Sequence, residues 1–253
     1  MNKTIFVSGA TSGIGYSVAK KFAANGDRVI ITGRRSDRLE MISKELQELY
    51  GAEIFSVCFD VREKNVSLDI INRLPENWRN IDVLVNNAGL AAGRDSFENS
   101  DIEDFDAMID TNVKGLAYLT KGLLPLLIKN GSAHIINVGS IAGKEVYAMA
   151  AGYCASKFAV DAFTKGLRID LLPHNIKVTG IHPGAVETEF SIVRFKGDET
   201  KANAVYAGYK PLSGDDIAEV ILYSANLPIH VCLNDIVITP TAQAGIHYFN
   251  KNI

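Results

Sequence analysis

Apolar residues fall along this chain in two alternating rhythms. Short runs rich in isoleucine and valine, and mostly apolar on both faces, occur at residues 4–7, 28–32, 53–59, 82–86, 133–138, 177–182 and 236–239. A strand with no polar face must be buried on both sides, as in a parallel sheet covered by helices above and below. Longer segments with helical spacing lie between these runs. In the first, Ile14, Val18 and Phe22 recur every fourth residue, with Ala19 and Ala23 beside them. They make one apolar stripe, which stops at Asn25-Gly26. Strand then helix, repeated, implies right-handed crossovers. The expected fold is α/β: one doubly wound domain over residues 1–253, with about seven parallel strands and helices on both faces. No internal repeat, low-complexity linker or composition shift divides it.

Residues 184–211 break the rhythm, and a fresh helix start follows at Ser213-Gly214-Asp215-Asp216. Loops this long inside a compact domain are usually functional. In a doubly wound sheet, ligands bind beyond the carboxyl ends of the strands, and this loop follows such an end. A substrate lid is expected here.

Composition removes several classes of function. With 253 residues, 47% of them hydrophobic and 22% charged, the chain can bury a sizeable core. A net charge of −3 with scattered basic residues offers no footing for nucleic acid. The longest greasy stretch, 115–128, is interrupted by Lys121 and Pro125 and is too short to span a bilayer. The opening residues run straight into a glycine turn, so no secretory leader is expected. Cys58, Cys154 and Cys232 are odd in number and lack metal-type spacing, which suits a reduced, cytoplasmic protein. The histidines are dispersed; His134 and His182 read as packed side chains, and no metal is expected.

The candidate chemistry begins after the first strand, at Ser8-Gly9-Ala10-Thr11-Ser12-Gly13-Ile14-Gly15. Glycines permit a tight turn, and the helix N-terminus that follows presents free N–H groups to a pyrophosphate. The spacing is G-x-x-x-G-x-G rather than the commoner G-x-G-x-x-G, and its place between strand and helix favours dinucleotide binding. The second strand ends in Gly33-Arg34-Arg35, where a carboxylate would accept the 2′-hydroxyl of NAD and an arginine would pair with the 2′-phosphate of NADP. No acid stands there; Asp37 and Glu40 lie further along. NADP(H) is the expected cofactor.

Tyr153 and Lys157 are four residues apart and share a helix face. A phenol ionises near pH ~10, and a neighbouring ammonium lowers that value. The pair can exchange a proton with a hydroxyl or carbonyl oxygen, and Ser140, at the end of the fifth strand, can hydrogen-bond the same oxygen. Each of these residues is ordinary alone; their combination and order are not.

Taken together, these motifs resemble the short-chain dehydrogenase/reductase family over nearly the whole chain, which implies a Rossmann-type fold. The glycine turn matches the family's cofactor turn, with Ser8 where threonine is usual. Asp60-Val61 matches the pair that contacts the adenine, and Asn86-Asn87-Ala88-Gly89 the segment beside the central sheet. Asn112 falls on the catalytic asparagine, and Ser140, Tyr153 and Lys157 complete the tetrad. Pro183-Gly184, with Val186 and Thr188, resembles the segment that meets the nicotinamide. The resemblance thus implies cofactor contacts from Gly9, Thr11, Ser12, Gly13, Ile14, Gly15, Arg34, Arg35, Asp60, Val61, Asn87, Ala88, Gly89, Tyr153, Lys157, Pro183, Gly184, Val186 and Thr188.

It also implies a mechanism. Tyr153 exchanges the proton while hydride moves to or from the nicotinamide, and Lys157 lowers the phenol pKa and holds the nicotinamide ribose. Ser140 steadies the substrate oxygen, and Asn112 positions a water that relays protons. A homotetramer is implied as well. Gly33-Arg34-Arg35 and the segments 188–191 and 193–198 are similar to a subgroup of NADP-dependent 3-hydroxy acid dehydrogenases acting on serine, allo-threonine and related compounds, and reducing malonic semialdehyde. For a small hydroxy- or oxo-acid, Arg194 or Lys196 in the lid is the candidate carboxylate partner; two solvated loop cations are an equal reading of the same residues. The alternatives are a carbonyl, steroid or 3-oxoacyl reductase of the same family and, in another class, a non-catalytic NADP(H)-sensing protein.

Overall fold

The computed structural model describes residues 2–251; Met1, Asn252 and Ile253, at the ends of the expected 1–253 domain, lie outside the described residues. All seven expected strands form: β1 (Thr4–Val7), β2 (Arg28–Gly33), β3 (Ile54–Cys58), β4 (Val83–Asn86), β5 (His134–Val138), β6 (Lys177–Pro183) and β7 (Asp235–Ile238). They build one parallel sheet in the order β3-β2-β1-β4-β5-β6-β7. The chain winds outward from β1 in one direction and from β4 in the other, so a crevice opens where these two central strands end.

Alternate strand residues feed two separate cores. Ile5, Val7, Val29, Ile31, Val83 and Val85 point to one layer, where they meet Val18 and Phe22 of α1 (Gly13–Ala24), Leu39 of α2 (Ser36–Tyr50) and Ile217 and Ile221 of the helix Gly214–Asn226. Phe6, Ile30, Leu84, Ile135 and Val178 point the other way, onto Leu119, Leu123 and Leu127 of the helix Leu116–Asn130. This two-residue alternation between apolar layers explains why the strands carry no polar face.

The remaining helices in chain order are α3 (Lys64–Leu68), α4 (Ile102–Ile109), α5 (Leu116–Asn130), α6 (Ala151–Asp170), α7 (Glu189–Arg194), α8 (Glu199–Ala204) and α9 (Gly214–Asn226). Pro125 sits inside α5, and a π-helical turn, Asp110–Gly115, precedes it. The helix start expected at Ser213 is a full capping box: Ser213 Oγ accepts from Asp216 N–H and the Asp216 carboxylate accepts from Ser213 N–H. Residues 184–211 are less irregular than their sequence suggested. They fold as two short helices, α7 and α8, capped by Thr188 and Asp198. Each is too short for an amphipathic stripe to be read, which is why they passed for loop. Among the described residues, no helix is long and apolar enough to cross a membrane.

Candidate active site

The turn between β1 and α1 is shaped by backbone approach. Gly9 has φ +66°, and a Cβ there would lie 2.8 Å from Ala88 Cα; a Cβ on Gly15 would lie 2.3 Å from Gly9 O. Only glycine fits either place. Ser8 Oγ accepts hydrogen bonds from the backbone of both Asn87 and Ala88, at 3.1 Å each, and Asn87 Nδ2 donates to Ser8 O and Gly9 O. The segment after β4 is thus laced to the turn after β1, leaving the turn's outer surface open in front of the first N–H groups of α1.

Arg35 lies across this turn. Its guanidinium donates to Thr11 O and Thr11 Oγ1 at 3.1 and 3.0 Å and pairs with Glu189 of α7 at 3.1 Å. Arg34 is more exposed and stands 3.8 Å from Asp60, whose carboxylate is also gripped by Arg62. Burial pushes the Asp60 carboxyl up, but the hydrogen bonds and charge of Arg62, with Arg34 behind, hold it below the usual carboxylate range. No acid stands directly after β2 in sequence, yet folding brings Asp60 and Glu189 to its two arginines.

A cleft of about 790 Å³ runs from this turn to the C-terminal ends of β5 and β6. Nearly every residue singled out above lines it: the glycine turn at Gly9, Thr11, Ser12, Gly13 and Ile14, then Arg34, Arg35, Asp60, Val61, Asn87, Ala88, Gly89, Ser140, Tyr153, Lys157, Pro183, Gly184, Val186, Thr188 and Arg194. Gly15 and Asn112 do not. Gly15 packs behind the turn, and Asn112 is buried in the π-helical turn, exchanging hydrogen bonds with Leu90 N–H and Leu90 O at 2.8 Å and donating to Ser156 Oγ at 2.9 Å. Its amide fixes the Asn87–Leu90 segment against α6.

Tyr153 and Lys157 are both buried on α6, one turn apart. Burial pushes the Tyr153 phenol up to about 12; the Arg194 guanidinium and the Ser140 hydroxyl beside it pull the other way. Burial also drives the Lys157 ammonium down to about 8, and its Nζ donates to Val138 O at 3.0 Å, 6.0 Å from the Tyr153 ring centroid. By spacing alone, Lys157 is the cation expected to lower the phenol pKa. In the folded chain desolvation outweighs it, and the cation acting most on the phenol is Arg194.

Arg194 ends α7 with its guanidinium 4.7 Å from the Tyr153 ring centroid and 5.1 Å from that of Phe190. Among the described residues it has no carboxylate partner. Lys196, the other candidate cation of residues 184–211, is tied to Asp104 of α4 at 2.9 Å and does not line the cleft.

Several cleft residues were not legible beforehand. The stretch 184–211 leaves and re-enters the fold at one point, where Glu187 N–H meets Leu212 O and Leu212 N–H meets Ala185 O. Tyr206 Oη donates to Val186 O and bonds Ser191 Oγ, bracing α7 from within. Tyr147 and Arg94 also line the cleft, as does the C-terminal tail: Gln243 Oε1 accepts from Ala185 N–H at 2.9 Å, and Phe249 packs on Tyr209. These residues come from four distant stretches and belong to no local motif.

Fold and site together define a dinucleotide-dependent oxidoreductase architecture. Residues 3–199 match the family model for short chain dehydrogenase, and the chain belongs to that family. It is 43% identical over 241 residues to the NADP-dependent 3-hydroxy acid dehydrogenase of Salmonella typhi, covering 95% of this chain and 96% of that protein. It is 44% identical over 245 residues to a sulfoacetaldehyde reductase of Chromohalobacter salexigens, covering 96% of each. Among solved structures, the closed form of serine dehydrogenase complexed with NADP+ superposes with a TM-score of 0.90 at 40% identity, over 98% of this chain and 99% of that one.

Proposed function

We propose that this protein is an NADP(H)-dependent oxidoreductase that moves a hydride between the cofactor and a small 3-hydroxy acid or the corresponding oxo-acid. The observation that carries the substrate class is Arg194: a guanidinium without a carboxylate partner, stacked against the ring of the proton-transferring tyrosine. It can hold a substrate's acid group while the hydroxyl meets Tyr153 and Ser140.

The residues present fit NADP(H). Close-packed glycines leave room for a pyrophosphate over the α1 N-terminus, and Arg34 and Arg35 supply cations for a 2′-phosphate. Bound NADP+ supplies the hydride acceptor. In oxidation, the Tyr153 phenolate takes the hydroxyl proton as the C–H bond gives up its hydride, leaving a carbonyl and a neutral phenol. Ser140 donates to the same oxygen as its charge changes. Lys157 carries positive charge beside the phenol, and Asn112 holds the Leu90 segment that lines the cleft. Reduction reverses each transfer. Residues 184–211 act as the lid, hinged at the paired backbone of Glu187 and Leu212.

A short sulfonated aldehyde is the second reading, because relatives bearing both names match this chain equally well and a guanidinium serves either anion. The test follows NADP+ reduction at 340 nm with L-serine, allo-threonine, 3-hydroxypropionate, 3-hydroxybutyrate and neutral secondary alcohols, and NADPH oxidation with sulfoacetaldehyde, with NAD(H) in parallel. Turnover confined to neutral alcohols would transfer the assignment to a carbonyl reductase. Cofactor binding without any turnover would make the protein a sensor.

We further propose a cytoplasmic homotetramer. Exposed Ile102 on α4, Phe158 and Ile169 on α6 and the neighbouring Leu172 give these helices apolar faces suited to burial by other copies. A monomer mass by light scattering would refute the assembly.

A further inference from the structure

Behind the wall that carries Ser140 and Tyr153 lies a cluster of charges that the chemistry above leaves unused. Lys144 Nζ stands 2.7 Å from Asp161 Oδ1 and 2.7 Å from Asp235 Oδ2. Lys165 Nζ meets the other oxygen of Asp161, also at 2.7 Å. His182, 1% exposed, completes the group with Nε2 at 2.6 Å from Asp235 Oδ1 and 3.8 Å from Asp161 Oδ1. Asp161, His182 and Asp235 bring ligand-type atoms within 4.8 Å of one another. The Lys144 ammonium already lies between the two carboxylates, and with Lys165 it balances their charge, so the cluster reads as an ionic tie rather than a metal site.

Its placement is specific. Asp161 is one turn past Lys157 and two past Tyr153, on the same face of α6. Lys144 lies four residues after Ser140, at the end of the short 3₁₀ turn Ile141–Gly143, and Asp235 begins β7. The stretch from Gly139 to Gly143, which holds Ser140 and this turn, is pressed at both ends: a Cβ on Gly143 would lie 2.6 Å from Lys157 O, and one on Gly139 would lie 2.6 Å from His182 Nδ1. The side chains of Lys144 and Asp161 are 22% and 11% exposed, so solvent screens their attraction less than on an open surface.

We propose that Lys144 is a positioning residue: by tying Asp161 of α6 to Asp235 of β7, it seats the Ser140 turn against the helix that carries Tyr153 and Lys157. The tie sets the Ser140–Tyr153 geometry needed for proton transfer. This rests on the oxidoreductase reading above, in which those residues perform the chemistry. Misplacement of a reacting group by about 1 Å costs on the order of 10²-fold in rate.

The test compares Lys144→Met, which keeps length and loses charge, with Lys144→Arg, which restores the charge. Two readouts are taken: steady-state kinetics, and amide hydrogen exchange of residues 139–145. Lys144→Met is expected to lower kcat about 10- to 100-fold, leave KM for NADP+ within about twofold, and speed exchange in the turn. Lys144→Arg is expected to recover most of both. Asp235→Asn removes one arm only and gives a smaller loss in the same direction, which serves if the Met variant does not fold. Unchanged exchange, faster exchange with unaltered kcat, or an arginine variant no better than methionine would overturn the proposal. If the native protein turns over no substrate, the oxidoreductase reading fails, and exchange alone decides whether Lys144 ties the turn.

Discussion

The two ends of the cleft, read as the cofactor and substrate ends under the proposed function, are built by different means. At the cofactor end, backbone does most of the work: glycines press together, side chains of Ser8 and Asn87 lace two turns, and free N–H groups of α1 face outward. At the substrate end, buried and half-buried side chains do it: Tyr153, Lys157, Ser140, Arg194, Tyr147 and the tail residues Gln243 and Phe249 converge from distant stretches. Burying charge carries a cost in stability that exposing backbone does not. The substrate end is therefore where substitutions separate activity from stability, and the cofactor end is where they change affinity.

The largest expected effect is at Tyr153. Tyr153→Phe removes the oxygen proposed to transfer the proton and is expected to cut kcat by about 10²- to 10⁴-fold while NADP+ binding persists. Near-native turnover would remove Tyr153 from the chemistry.

Lys157→Met tests the cost of buried charge. Burial lowers the folded-state lysine to about 8 from its ordinary value of 10.5. At pH 7 both folded and unfolded chains carry the proton, so the full burial penalty is present. As pH rises from about 8 to about 10.5 the folded chain sheds it first, and native stability recovers. Thermal or urea unfolding at pH 7 should show the variant more stable by an order of 2–3 kcal/mol, with the gap closing by pH ~10.5 and activity lost throughout. A less stable variant would mean that the hydrogen bond to Val138 O outweighs the burial penalty.

Arg194→Ala sharpens the substrate assignment. Loss of a charge-assisted pair of about 1.5–3 kcal/mol predicts a fall of roughly 10- to 100-fold in kcat/KM for acids. Oxidation of neutral alcohols should show only a shift of the rising limb of its pH profile to higher pH, because the reaction needs the phenolate and Arg194 also holds the phenol down. Equal losses for both classes would assign Arg194 to packing.

The smallest effect lies at the cofactor end. Arg34→Ala or Arg35→Ala is expected to weaken NADP+ binding about tenfold and leave NAD+ nearly unchanged. Arg35 also joins Thr11 of the glycine turn to Glu189 of α7, in the proposed lid. Glu189→Gln should therefore alter lid protection from protease with cofactor bound, with little effect on affinity.

What the chain's sequence determined was everything that depends on neighbours along it. Burial of the central strands β1, β4 and β5 on both faces, the stripe of α1, the glycine turn and the Tyr153–Lys157 spacing are periodicities or contacts over a few residues, and local geometry turns them directly into structure. The edge strands β3 and β7, by contrast, stay partly exposed. Tertiary structure decided what depends on distance through space. It brought Asp60 and Glu189 to arginines that no local acid accompanies, and it aimed Arg194 at Tyr153 while binding Lys196 to Asp104. It also raised the phenol against its lysine neighbour, because desolvation reflects everything packed around a group, and most of that packing comes from residues far away in the chain.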